Sequence, residues 1–211
     1  MTSDRHSPPA FQPKPAAARL WIDGVGTWVI WMDERYTIGG PTPPGRLQAA
    51  ADLPLLADLS RVHAAIERAG EQYRLTLLGD GGVVGRPESG EQWLRSGDEL
   101  RLGRDVRLKF EQPSPLSLSA RLAVTSGHRP PQRIDGVVLL EQACLLGPGS
   151  DQHIVCPRAK VNFVLYRKGT ALWCRCPEQW KLDGSAVSGA AELFNGSFVS
   201  HDSLSFRLEW S

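Results

Sequence analysis

From Ala18 onward the apolar positions fall in short runs and not in long blocks. Arg19-Leu20-Trp21-Ile22, Trp28-Val29-Ile30-Trp31 and Tyr36-Thr37-Ile38 are rich in β-branched and aromatic residues. Asp23-Gly24, Asp33-Glu34 and Gly39-Gly40 separate them, and these are residue types that turn a chain. Further runs follow at His63–Ile66, Tyr73–Leu78, Val83-Val84, Glu99–Leu102 and Val106–Phe110. In Val106-Arg107-Leu108-Lys109-Phe110 the strict alternation gives a strand one buried and one wet face. Many short strands at such spacing predict an all-β sandwich or barrel. The Ala-rich stretch Leu47–Ala51 is the one helix candidate, and it is too short to stand alone. Ahead of the first run, residues 1–17 carry four prolines and few aliphatics, the composition of a disordered tail.

The pattern then recurs. Shifted by 99 residues, Ser60–Gly97 lies over Ala159–Gly196 without a gap. Val62 meets Val161, Arg68 meets Arg167, Gly70 meets Gly169, Gly85 meets Gly184, Leu94 meets Leu193 and Gly97 meets Gly196. Upstream, Ala18-Arg19-Leu20 resembles Ala120-Arg121-Leu122, and Ile38-Gly39 resembles Leu146-Gly147 at an offset of 108. The second copy is therefore about nine residues shorter between these points, the difference of the two offsets. With Gln112–Ser119 as a Pro- and Ser-rich connection, the expected plan is a tail (1–17), a β-domain (18–112), a linker (113–118) and a second β-domain (119–211).

Composition narrows the function classes. The 211 residues carry 24 Lys+Arg against 23 Asp+Glu, a net charge of +1, which argues against a nucleic-acid or anionic-membrane surface. No apolar run reaches the ~18 residues a membrane helix needs. Met1–Pro15 has no apolar leader, so the expected location is cytoplasmic. The four cysteines, Cys144, Cys156, Cys174 and Cys176, lack the paired C-x2-C spacing common in zinc sites. They read as small buried apolar residues, and no metal is expected.

One set of motifs points to a family. Ile38-Gly39 closes a strand, Leu59-Ser60-Arg61-Val62-His63-Ala64 follows, and Gly97-Asp98-Glu99-Leu100-Arg101-Leu102-Gly103 precedes the last strand of the first copy. Together these resemble the forkhead-associated (FHA) domain over about residues 18–112, and 119–211 resembles a more diverged copy. The resemblance implies an eleven-stranded sandwich for each copy, whose loops at one end bind a phosphothreonine peptide. It implies that Ser60 contacts phosphate, that Gly39 and His63 brace the loops, and that Asp80-Gly81 stands where the family grips the peptide backbone through Asn-Gly. Two departures are decisive. Gly40 occupies the place of the family's arginine, and Asp80 puts a carboxylate where an amide donor belongs. A phosphate of about −1.5 to −2 charges needs cationic donors. Arg61, or Arg46 folding back from the Pro-Thr-Pro-Pro-Gly-Arg loop, is the available substitute. In the second copy Ala159-Lys160-Val161-Asn162 replaces Ser60-Arg61-Val62-His63, Pro148 follows Gly147 and Gln179 replaces Asp80. Trp173, Leu172, Phe206 and Leu208 read as its core, while Trp180 and Trp210 are either exposed or seal the domain interface.

No catalytic constellation competes. Gly79-Asp80-Gly81-Gly82 and Gly147-Pro148-Gly149-Ser150 lead into no helix bearing a phosphate-cradling lysine. His6, His63, His128, His153 and His201 form no ligand pair, and Ser60 lies on no nucleophile elbow. The expectation is a non-catalytic, cofactor-free module that binds a protein or peptide, with phosphothreonine recognition lost or altered. Phosphopeptide binding through Ser60, Arg61 and Arg46 is the first alternative, and a scaffold or secretion-accessory role the second.

Overall fold

The computed structural model describes residues 16–42, 50–87, 89–114 and 117–211, and among these there are strands but no helix. The first half forms β1 (Ala17–Ile22), β2 (Gly26–Trp31), β3 (Arg35–Gly39), β4 (Leu53–Pro54), β5 (Ala64–Ala69), β6 (Gln72–Leu77), β7 (Gly81–Val83), β8 (Glu91–Leu94), β9 (Glu99–Leu102) and β10 (Val106–Glu111). The second half forms β11 (Ala120–Val124), β12 (Gly136–Leu139), β13 (Ala143–Gly147), β14 (Ile154–Val155), β15 (Phe163–Lys168), β16 (Ala171–Leu182), β17 (Ser185–Leu193), β18 (Phe198–His201) and β19 (Leu204–Trp210). The all-β expectation holds. Ala17, placed by the sequence in the tail, is instead buried as the first residue of β1, while 1–15 lie outside the described residues. Ala50 and Ala51 are not helical, and the rest of that helix candidate lies outside the described residues.

Strands pack as sheets because each has an apolar face to bury. A five-stranded sheet runs β4-β3-β5-β6-β8. A fourteen-stranded sheet runs β14-β13-β15-β16-β18-β19-β1-β2-β12-β11-β10-β9-β7, with β17 on the side of β16. The long β16 pairs first with β15 and, beyond an irregularity between Cys176 and Trp180, with β18.

The pairing crosses the linker in both directions. β1 does not pair with β10, the last strand of its own half. It pairs with β19, Ala18 opposite Trp210 and Leu20 opposite Leu208, while β10 pairs with β11. In the middle β2 and β12 run parallel, Val29 beside Val137 and Ile30 beside Val138. Two cores follow. One joins Ala18, Leu20, Ile22 and Ile30 to Phe163, Leu165, Phe206 and Leu208 of the second half. The other joins Ala120, Leu122, Val137 and Leu139 to Tyr36, Ile38, Leu75, Leu108 and Phe110 of the first. β2 and β12 thus send side chains into both cores, which is why they read as unbroken apolar runs and not as alternation.

Arginines secure this exchange. Arg68 Nε lies 2.7 Å from Glu141 Oε2, beyond β12, and Arg167 Nη1 donates to the Met32 carbonyl at 2.9 Å, beyond β2. The two residues that the 99-residue shift superposes each hold the turn of the opposite half. Thr27 and Asp135 add a reciprocal pair: Thr27 N–H donates to Asp135 Oδ2 at 2.8 Å and Asp135 N–H to the Thr27 carbonyl at 2.7 Å.

Within the second half, Leu172, Phe206 and Leu208 are buried as expected. Trp173 points outward, its parity opposite to Leu172 and Cys174, with Lys168 Nζ 4.9 Å from its ring centre. Trp180 is core: it packs edge-on to Phe163 and donates to the Gly189 carbonyl at 3.1 Å. Trp210 is partly buried against the same core. All four cysteines are free and buried there. Cys144 and Cys174 face each other across Leu165, two strand spacings or ~10 Å apart, beyond the ~7 Å limit for a disulfide. Burial pushes every one of these thiols up, Cys156 to about 11. Native protein at pH 8 is therefore expected to give no fast reaction with a thiol reagent and four equivalents once denatured. A fast-reacting thiol in the native state would contradict this packing.

Candidate functional site

At one end of the first half, β3 runs out at Gly39 and the loops 55–63, 78–80 and 103–105 meet around it. The backbone arranges this end before any side chain acts. Leu55 N–H donates to the Gly39 carbonyl, His63 N–H to that of Ile38, and Gly40 N–H to that of Ser60, each at 2.8 Å. The 57–61 loop therefore lies directly on the end of β3. A Cβ on Gly40 would stand 2.3 Å from the Leu59 carbonyl oxygen, and one on Gly39 1.8 Å from that of Arg61. No side chain fits at either position without moving the loop.

His63 ties three loops together. It is buried, and its Nδ1 accepts the Ser60 N–H at 3.2 Å. A backbone N–H can only donate, so the ring proton sits on Nε2, which donates to the Asp80 carbonyl at 2.8 Å. The imidazole lies over Gly79, where a Cβ would approach it to 2.4 Å. Gly103 N–H also donates to the Asp80 carbonyl, at 2.8 Å, which brings the β9–β10 turn into the same network. Gly39 and His63, expected to brace the loops, thus bond to Leu55, Ser60 and Asp80 there.

The remaining expected residues divide. Ser60 and Asp80 are exposed on the rim, and Gly81 begins β7 in a buried position against the Arg101 carbonyl. Arg61 is half-buried; its Nη1 is shut off from solvent with no hydrogen-bond partner among the described residues. Arg46 lies outside the described residues. Between the loops opens a cleft of about 770 Å³, lined by Asp58, Asp80 and Asp105 against Arg101 and Arg104, with His63 and His128. One of the two guanidiniums is already engaged, Arg101 Nη1 donating to the Gly103 carbonyl at 3.1 Å. Three carboxylates against two arginines make a poor seat for a dianion and a fair one for a peptide with its own polar groups.

Sequence reasoning did not bring Asp58, Arg101, Arg104 or Asp105 to this cleft, although the Gly103-Arg104-Asp105 turn closes the motif that marked it. His128 had no local signal at all. It lies between β11 and β12, the hairpin that the second half lends to the first. The opposite end of the exchange forms a cleft of about 400 Å³, where the β1–β2 turn (Asp23, Gly24) meets Arg158, Lys160, His201 and Ser203. Asn162 stands in the place of His63 there, and its side chain fills the space beside Gly147. Among the described residues no group of three or more His, Cys, Asp or Glu is placed to hold a metal ion.

No protein-family model matches the chain, and no curated protein matches it. Solved structures give partial likenesses. An FHA structure of Rv0020c is 25% identical over 41% of this chain and 84% of its own, with a TM-score of 0.26. The N-terminal FHA domain of EssC, a component of the bacterial type VII secretion apparatus, is 11% identical over 91% of this chain and 92% of its own, with a TM-score of 0.22.

Proposed function

We propose that the chain is a non-catalytic protein-interaction module of the FHA type. It is built as two FHA-like units in tandem, with expected limits of 18–112 and 119–211, and it binds an extended peptide at the first unit's loop end without selecting phosphothreonine. One observation carries this reading: the Leu59 and Ser60 carbonyls close over Gly40, so the position that the family gives to its arginine has no room for a side chain. The surrounding features agree with it. The motif residues Gly39, Ser60 and His63 build the loop end, whereas the cleft beside them carries three carboxylates against two arginines. A peptide backbone needs donors and acceptors but no net positive charge, and the rim offers both.

The test is binding of matched peptide libraries, phosphorylated and unphosphorylated at threonine, to the wild-type chain and to Ser60→Ala. The expected result is retention of peptides with at most a twofold preference for either form. Micromolar binding selective for phosphothreonine and lost in Ser60→Ala would replace this reading with a working phosphopeptide site. Absence of any peptide binding would favour the scaffold role.

A further inference from the structure

The two halves hold the same backbone group by different chemistry. In the first, Thr37 of β3 donates its N–H to Asp52 Oδ2 at 2.8 Å, and Asp52 directly precedes β4. In the second, Leu145 of β13 donates its N–H to His153 Nδ1 at 3.1 Å, and His153 directly precedes β14. The positions correspond by register: Ile38 pairs with Leu53 in one half, Leu146 with Ile154 in the other, both in parallel. A carboxylate thus does in one half what an imidazole does in the other.

His153 is fully buried and uses both ring nitrogens. Nδ1 accepts, so Nε2 carries the proton and donates to the Ser119 carbonyl at 3.2 Å. Ser119 directly precedes β11, and its Oγ in turn accepts the Glu141 N–H at 3.0 Å. The ring therefore joins the β13–β14 edge to the point where the chain passes from one half to the other. We propose that His153 is an acid-released latch: its protonation breaks the bond from the Leu145 N–H, frees β13 from the ring that Ser119 holds, and leaves the matching edge of the first half closed.

Geometry gives the reason. A second ring proton would point Nδ1–H at the Leu145 N–H, donor against donor, and would place a cation where no carboxylate faces it. The charged groups on the segments that meet the ring are already committed. Arg121 of β11 is held by Glu111 of β10 at 2.7 Å and by the Gln152 carbonyl at 3.4 Å. Asp151 accepts the Gln152 amide at 3.0 Å, and Glu141 pairs with Arg68 at 2.7 Å. On β13 the adjacent titratable group is the buried thiol of Cys144. Burial above all lowers the imidazole from 6.5 to about 4; the Arg121 cation adds to this, and the bond to Ser119 opposes it. Between those two values an opened ring takes up a proton that the closed ring refuses. The latch is therefore fully closed above pH 6.5, weakens as pH falls, and levels off near pH 4. Tenfold for each pH unit gives a total on the order of a few hundredfold.

The experiment is amide hydrogen exchange by NMR on the full chain from pH 7 to 4, corrected for intrinsic rates, with Leu145 and Thr37 as paired reporters. Protection of Leu145 is expected to fall on the order of a few hundredfold while Thr37 holds, and His153→Asn, which keeps an acceptor without an imidazole, is expected to remove the difference. Parallel loss at both amides, or an unchanged fall in a folded His153→Asn protein, would overturn the proposal. Should that variant not fold, the wild-type ring decides. A His153 that stays in the neutral Nε2–H form to about pH 4.5 in the closed protein supports the latch. One that titrates near 6.5 with Leu145 still protected refutes it.

Discussion

A chain cut within the 113–118 linker is expected to stay in one piece. β1 and β2 place Ala18, Leu20, Ile22 and Ile30 in the core of the second half, and β11 and β12 place Ala120, Leu122, Val137 and Leu139 in that of the first. Each larger side chain contributes roughly 1.5–3 kcal/mol on burial, so the exchanged strands hold the halves together by more than about 10 kcal/mol before hydrogen bonds are counted. The β1–β19 and β10–β11 ladders and the Arg68–Glu141 pair add to that. With a protease site placed in the linker, native mass spectrometry after complete cleavage should record a single species near the uncut 23.1 kDa, separating only in denaturant. Two free fragments in native buffer would mean that each half closes on itself and that the interleaved pairing is wrong.

Restoring the arginine of the family pattern is expected to damage the protein and not to repair it. In Gly40→Arg the obstruction begins at Cβ, 2.3 Å from the Leu59 carbonyl, so the loop 57–61 must move and the bond from Gly40 N–H to the Ser60 carbonyl is lost with it. Overpacking of this kind costs about 1–3 kcal/mol, and a broken buried hydrogen bond about 1 more. Because the clash is at Cβ, Gly40→Ala should cost nearly as much as Gly40→Arg. Urea midpoints of the two variants therefore serve as the measurement. A tolerated Gly40→Arg that gained phosphothreonine binding would show that the loop yields readily and that the site was only one residue from competence.

The strands were legible because burial on one face leaves a period of two. Val106, Leu108 and Phe110 point inward and Lys109 outward, as the alternation requires. The same parity, applied strictly, separates Trp173 from Leu172 and Cys174. The nearness of His63 to Ser60 was legible too, since Ser60-Arg61-Val62-His63 keeps them three residues apart in one loop, where the ring accepts the Ser60 N–H. Partner choice was not. Ala18 and Leu20 would complete an apolar face against Leu108 and Phe110 as well as against Phe206 and Leu208, and nothing local distinguishes β10 from β19. The closure over Gly40 depends on the path of a loop seventeen or more residues away, and the arrival of His128 depends on the exchange itself. The one trace of the exchange in the sequence is the pair of runs Trp28–Trp31 and Val137–Leu140, apolar at both parities because each strand serves two cores.

The order in which those strands are made sets the timetable of the molecule. Among the described strands β1 is the first to leave the ribosome, and its ladder partner β19 is the last. Ala18 waits through 192 further residues, 210 less 18, for Trp210. Until then one edge of β1 stays open, and Leu20 and Ile22 lack the Phe206 and Leu208 they pack against. A pairing this remote folds slowly and leaves an adhesive edge exposed during synthesis, when chaperones matter most. The first half cannot be finished early either, since β11 and β12 are still to come. The core of the second half therefore closes only once β19 has been made, whereas that of the first needs no strand beyond β12.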